Sequence, residues 1–315
     1  MTSGLWAPSE ELLTPNRRVL IKRGEWIDES RDGRAVPYKI YYPEGDDILP
    51  VIMWSHGLGG TRDGAGFLAR FMAGHGYIHV HIQHDGSDDS LWRNEKDKHP
   101  WDAIRERTPI PWEDTKLRYQ DVPFAWDMLA QDTELLPRMN LEQRGMCGHS
   151  FGSLTTQIMA GQLTGLNDNS IEQFKMDGLR AGILYSPTLN FRLKETPDQE
   201  IYGAMDAMPL LFITGTEDNS PVEGFDYTHR VAVFDHSGRD DHQLMVLDGA
   251  DHMVFNGSRG QLPDYEGIED HKRALCLSSL AWWEHYLKSN PAAEDWISSQ
   301  GLGGLTGTNG MVKTK

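Results

Sequence analysis

Three residue types that together can move a proton and form a covalent bond occur in this chain in a definite order: a serine, a carboxylate and a histidine. The serine is Ser150, in the run Gly148-His149-Ser150-Phe151-Gly152. A serine hydroxyl is a weak nucleophile until a base takes its proton and something stabilises the oxyanion it creates. Arg144-Gly145-Met146-Cys147 reads as a short apolar strand, and Ser153 to Ala160 as a helix. A strand-to-helix turn lifts the hydroxyl out of the sheet and sets it at a helix N-terminus, where free N–H groups favour negative charge. Glycines at 148 and 152 make room for so tight a turn.

An activated serine in this setting needs an acid and then a histidine further along the chain. Met208 to Thr216 is an apolar strand closed by a turn, and Glu217-Asp218 follows it, so Asp218 is the expected acid. Gln243 to Leu247 reads as another buried strand, and the loop after it carries His252, the expected base. Residues 220 to 242 can hold one crossover helix, as a parallel sheet requires. Upstream, Pro50 to Ser55 is a strand running into His56-Gly57-Leu58-Gly59-Gly60. The backbone N–H groups of Leu58 and Phe151 are the expected oxyanion donors. Glu217, Asp248 and Asp251 are rival acids. His242 is the rival base, but it precedes its strand and so belongs at the opposite edge of the sheet.

The elements that position these residues give an α/β chain, with a mostly parallel central sheet and helices on both faces. Residues 17 to 43 read as an antiparallel hairpin turning at Asp32-Gly33. Strands are expected near 50–55, 77–83, 144–148, 180–185, 209–214 and 243–247, with a closing helix over about 270–288. Residues 1–16 are an N-terminal extension, 17–290 the main domain, and 291–315 a Gly-rich tail expected to be mobile. The polar segment 84–120 is a long insertion at the carboxyl edge of the sheet, where it can shape a pocket. Its Trp92, Trp101 and Trp112 can either grip an apolar substrate group or pin the loop to the body. The 186–208 connection is too short to build a separate cap domain.

With these residues set out, the chain resembles serine hydrolases of the α/β-hydrolase fold. Within that fold it is similar to the group holding platelet-activating-factor acetylhydrolases and predicted dienelactone hydrolases. The resemblance spans roughly residues 17 to 290. It rests on Ser55 to Gly60, Gly74-His75-Gly76-Tyr77, His84-Asp85-Gly86-Ser87, the elbow 148–152, and Arg118 to Leu129. Two departures matter. Dienelactone hydrolases use a cysteine nucleophile, whereas this elbow holds Ser150, so that substrate is not implied. The mammalian acetylhydrolases carry the acid after the strand that follows the nucleophile helix. Here that strand runs into Ser186-Pro187, which moves the acid one strand later, to Asp218, as in most α/β-hydrolases.

Composition bounds the rest. With 315 residues, 38% of them hydrophobic, the chain can bury one large core. No span approaches the ~20 apolar residues of a membrane helix, and the start shows neither the basic nor the apolar part of a signal peptide. Cys147 and Cys276 are expected as buried thiols. A cytoplasmic enzyme is therefore expected. The formal net charge of −17 argues against nucleic acid or an anionic membrane as partner. His79-Val80-His81-Ile82-Gln83-His84-Asp85 imitates a metal signature, but Gln83 stands where an aspartate is required. As strand residues, His79 and His81 would face one side and satisfy each other. His56 is expected to brace the loop it begins, and Arg118 and Asp121 to pair on one helix. The expectation is a carboxylic ester hydrolase with no cofactor, acting on a small to medium ester. A metal-dependent hydrolase using His79, His81 and His84, or a catalytically silent binding protein, are the other classes.

Overall fold

The computed structural model describes residues 14–15, 17–257, 263–298 and 301–315. Apart from residues 14 and 15, the expected N-terminal extension lies outside the described residues. The strands are β1 (Val19–Asp28), β2 (Arg34–Pro43), β3 (Leu49–Ser55), β4 (Ile78–Ile82), β5 (Met139–His149), β6 (Thr164–Gly165), β7 (Ile171–Glu172), β8 (Ala181–Tyr185), β9 (Leu210–Glu217), β10 (Gln243–Asp251) and β11 (Met311–Thr314). Among the described residues, β6 and β7 form a small ladder and the rest one sheet in the order β1-β2-β4-β3-β5-β8-β9-β10-β11. The run from β4 to β10 is parallel. The hairpin joins β4 antiparallel, and β11 closes the far edge antiparallel to β10. This is an α/β chain with a mostly parallel sheet flanked by helices.

The helices are α1 (Gly66–Gly74), α2 (Pro100–Glu106), α3 (Trp112–Leu129), α4 (Phe151–Met159), α5 (Asp198–Gly203), α6 (Tyr227–His236), α7 (Ile268–Lys288) and α8 (Pro291–Ser298). Every residue of β3 is buried, as expected for a strand covered on both faces. Its side chains alternate between two cores, as the period of two in a strand requires. Val51 and Met53 join one core with Tyr119, Val122 and Trp126 of α3 and Val233 of α6. Ile52 and Trp54 join the other with Leu68 and Met72 of α1 and Leu275, Leu280 and Trp282 of α7. Each core places helices on one face, so the sheet is held rigid from both sides. Ser150 follows β5, Asp218 follows β9, His252 follows β10 and Leu58 follows β3. In a parallel sheet all four positions lie at one edge.

Two expectations are corrected. The segment 291–315 contains α8, and its Met311–Thr314 pairs with Val246 to Gln243 as the edge strand. Met311 and Val312 supply a strand that the many glycines around them obscure. The insertion 84–120 also runs too far, because α3 begins at Trp112 behind Pro111. Crossover helix α6 occupies the 220–242 connection as expected. Both cysteines are free and buried.

Candidate active site

Ser150 has φ 55° and ψ −116°, a conformation that L-residues adopt at a cost and that persists only where the surroundings enforce it. Here two glycines make room for it. A Cβ on Gly148 would sit 2.2 Å from the carbonyl oxygen of Gly152, and one on Gly152 would sit 1.9 Å from that of Ser55. The turn therefore closes only because both side chains are missing. The Ser150 N–H donates to the Tyr185 carbonyl at 2.9 Å, which ties the turn to the end of β8. Ser150 thus stands between β5 and the first turn of α4, with its own helix N-terminus behind it.

Asp218 is fully buried and accepts a 2.7 Å hydrogen bond from Nδ1 of His252. A buried carboxylate is tolerated only when its oxygens are satisfied. Thr214 Oγ1 donates at 2.7 Å and Ser186 Oγ at 3.0 Å, while the Arg230 guanidinium lies 3.2 Å away. Arg230 Nη2 is also 3.3 Å from His252 Nδ1. A guanidinium only donates, so this contact is no hydrogen bond while Nδ1 carries the proton given to Asp218. That proton leaves Nε2 of His252 as the acceptor nitrogen. His149 packs its ring 4.6 Å from the His252 ring and donates from Nε2 to the His252 carbonyl at 2.9 Å. Burial first, then the neighbouring His252 and Arg230, hold the His149 pKa well below its usual value, so this brace stays neutral.

The rivals fall away by position. Glu217 is exposed. Asp251 caps the turn after it by accepting from the N–H groups of Met253 and Val254. Asp248 accepts from Asn309 in the closing segment. His242, at the other end of β10, contacts Ser237 Oγ and the Met208 carbonyl.

Ser150, His252, Leu58 and Phe151 all line one cavity of about 1320 Å³. Trp92 and Trp101 line it too. Both rest on a small apolar cluster of Leu91, Ile104 and Ile110 that also contacts Leu58 and Phe151. Trp92 Nε1 donates to the Gly59 carbonyl at 2.7 Å, so it both lines the cavity and pins the insertion. Trp112 does not line the cavity. It is buried in the α3 core, with the Arg192 guanidinium 5.4 Å from its ring. Leu189 to Arg192 of the 186–208 connection line the cavity as well, a contribution its short length did not suggest.

His79 and His81 lie on β4, and His81 Nε2 meets His79 Nδ1 at 2.9 Å. His84 is engaged by Ser55 Oγ at 2.9 Å and Asp121 at 3.0 Å. Among the described residues, no group of three or more His, Cys, Asp or Glu side chains is arranged to hold a metal ion. His56 braces its loop as expected, donating from Nδ1 to the Gly57 carbonyl and accepting the His84 N–H on Nε2. Arg118 and Asp121 do not pair. Asp121 takes Arg31, Arg34 and His84, while Arg118 points to neutral groups. Three-residue helical spacing does not bring their heads together, because each is held by other partners: Asp121 by Arg31, Arg34 and His84, Arg118 by Ser55, the His56 carbonyl, Ser87 and Thr155.

The site therefore places a strained serine and a histidine on one cavity, with a satisfied, fully buried acid on Nδ1 of that histidine, a set able to generate an alkoxide-like nucleophile by proton transfer. Among the described residues, no helix is long and apolar enough to cross a membrane. No protein-family model matches the chain, and no curated protein matches it.

Proposed function

We propose that this chain is a serine hydrolase of the α/β-hydrolase fold that cleaves a small to medium carboxylic ester through an acyl-enzyme. One observation carries the reading: the strained elbow serine shares a cavity with a histidine whose Nδ1 is committed to a buried aspartate at 2.7 Å. His252 Nε2 takes the Ser150 proton as Oγ attacks the ester carbonyl. Asp218 holds the tautomer and stabilises the imidazolium that forms. The N–H groups of Leu58 and Phe151 receive the oxyanion, and His252 returns its proton to the departing alcohol. Water then repeats the two steps on the acyl group. The apolar wall around Trp92 and Trp101 favours an uncharged acyl or alcohol group.

The test is turnover of p-nitrophenyl esters from acetyl to decanoyl, before and after dialysis against a strong chelator. Hydrolysis with a maximum at short or middle lengths and no loss after dialysis is expected. Activity that vanishes on chelation and returns with one divalent metal would replace the serine mechanism. Absence of turnover on every ester would favour a binding protein.

A further inference from the structure

Arg118 is fully buried, yet among the described residues it makes no ion pair. A buried guanidinium with no carboxylate in direct contact is costly to keep. Burial pulls its pKa down to about 9, from a usual value of 12.5. What it touches accounts for its position. Nη2 donates to the His56 carbonyl, which immediately precedes Gly57-Leu58, and to Ser55 Oγ at 2.9 Å. Nε donates at 2.8 Å to Thr155 Oγ1, which in turn donates at 3.0 Å to the Phe151 carbonyl. Nη1 donates at 2.9 Å to Ser87 Oγ. The guanidinium also stands 4.5 Å from the centroid of the Phe151 ring.

We propose that Arg118 is the positioning residue of the oxyanion hole, clamping the Leu58 and Phe151 segments in register with one planar cation. This rests on the esterase reading above. The two N–H donors sit on segments that share no covalent link closer than the whole length of chain between β3 and α4. They must hold a fixed separation to bind one oxygen, and a small misplacement of such donors is costly in rate. Arg118 bonds to the first segment directly and to the second through Thr155. A planar fork with several donors suits a clamp, whereas a lysine can only approximate it.

The clamp is itself anchored. Ser55 accepts from Arg118 and donates to Nε2 of His84, and Nδ1 of His84 donates to Asp121. Burial lowers the His84 pKa to about 4, which keeps it the neutral link this relay needs. Asp121 is held in turn by Arg31 and Arg34. The His84 to Ser87 stretch and the Arg118 to Asp121 helix, which the reaction itself leaves unused, thus become the foundation of the hole.

Arg118→Met and Arg118→Lys should be compared with Thr155→Val and Ser87→Ala on one p-nitrophenyl ester, with rates expressed per site titrated by a fluorophosphonate. A clamp acts on the transition state, so Arg118→Met should lower kcat by about 10- to 100-fold with KM changed less than about threefold. Fluorophosphonate labelling should slow by a similar factor, since it uses the same hole. Arg118→Lys should recover part of the loss. Thr155→Val should lower kcat and labelling with little change in melting temperature, and Ser87→Ala, which removes one contact of Arg118 but keeps the Ser87 carbonyl on the Gly59 N–H, should do less. Wild-type kcat per titrated site in Arg118→Met overturns the proposal, as does a loss confined to KM. If Arg118→Met does not fold, wild-type kcat and labelling in Thr155→Val overturns it. A wild-type protein that hydrolyses no ester and does not label at Ser150 removes the esterase reading and this proposal with it. Labelling at Ser150 that is indifferent to Arg118 and Thr155 removes this proposal alone.

Discussion

At the scale of single residues, the site depends on a few atoms that have no substitute. Ser150→Ala fits the same turn, so it should lose turnover by on the order of 10⁴-fold or more while keeping the wild-type melting temperature. Activity within tenfold of wild type would refute the nucleophile. Asp218→Asn should lower kcat by on the order of 10³- to 10⁴-fold, because the amide can stabilise the wrong imidazole tautomer. Glu217→Gln and Asp251→Asn should be mild, since one is exposed and the other caps a turn. The reverse ranking in steady-state assays would move the acid. Ser150, Asp218 and His252 were legible in the sequence because each follows an apolar strand and their order restricts the choice. Ser186, Thr214 and Arg230 were not. They belong to three different elements, and only tertiary packing gathers them on Asp218. The one hint was negative: β8 ends at Ser186 with no carboxylate, leaving a hydroxyl to face the acid. The expected Arg118–Asp121 pair failed for a related reason. Helical spacing allows that contact, but partners from other elements hold both ends.

At the scale of elements, the turn into α4 and the insertion make opposite predictions about tolerance. Gly152→Ala would drive a Cβ to 1.9 Å from the Ser55 carbonyl oxygen, a backbone atom that cannot swing aside. That variant should yield little folded protein. Gly304→Ala has nothing within 4 Å of the new methyl and should melt like the wild type. Equal melting temperatures for the two would mean that the elbow is looser than described. In the insertion, Trp101→Ala should change the preference among ester chain lengths more than it changes stability, because Trp101 lines the cavity. Trp112→Ala should cost about 3–5 kcal/mol in urea unfolding and leave the preference profile unchanged, since its indole fills the α3 core. A shifted profile in Trp112→Ala would contradict the assignment. Pro111 marks the start of α3. Even so, the polar surface of the first turn of α3 made the segment read as a continued loop. The closing strand was missed on similar grounds, because β11 is four residues long and surrounded by glycines.

At the scale of the whole molecule, the sheet and its two cores bury histidines that must stay neutral. Burial lowers the pKa of His79 to about 3 and of His84 and His242 to about 4, from a usual 6.5. The unfolded chain binds protons on these rings below pH 6.5, whereas the folded chain does not until near pH 4. Stability is therefore full above pH 6.5 and falls as pH drops from about 6.5 toward 4, by up to ~1.4 kcal/mol per pH unit for each ring. His56, His81 and His149 are shifted in the same direction and steepen the fall. Urea midpoints at pH 7.5, 6.0 and 5.0 should decrease by more than one proton accounts for. A midpoint constant down to pH 5.0 would mean that these rings are hydrated or charged in the folded state. The layered architecture was readable from sequence because short apolar runs such as Val51 to Trp54 alternate with helical stretches, whereas the split of Val51 and Met53 from Ile52 and Trp54 between two cores appears only in the structure.

The central claim is that Ser150 is the activated nucleophile, and covalent labelling tests it most directly. The wild-type protein should be treated with a fluorophosphonate at neutral pH, digested, and mapped by mass spectrometry. A single adduct on the peptide carrying Ser150, abolished in Ser150→Ala and strongly slowed in His252→Ala, is the predicted result. An adduct on another residue, or none from a protein that still hydrolyses esters, would contradict the account.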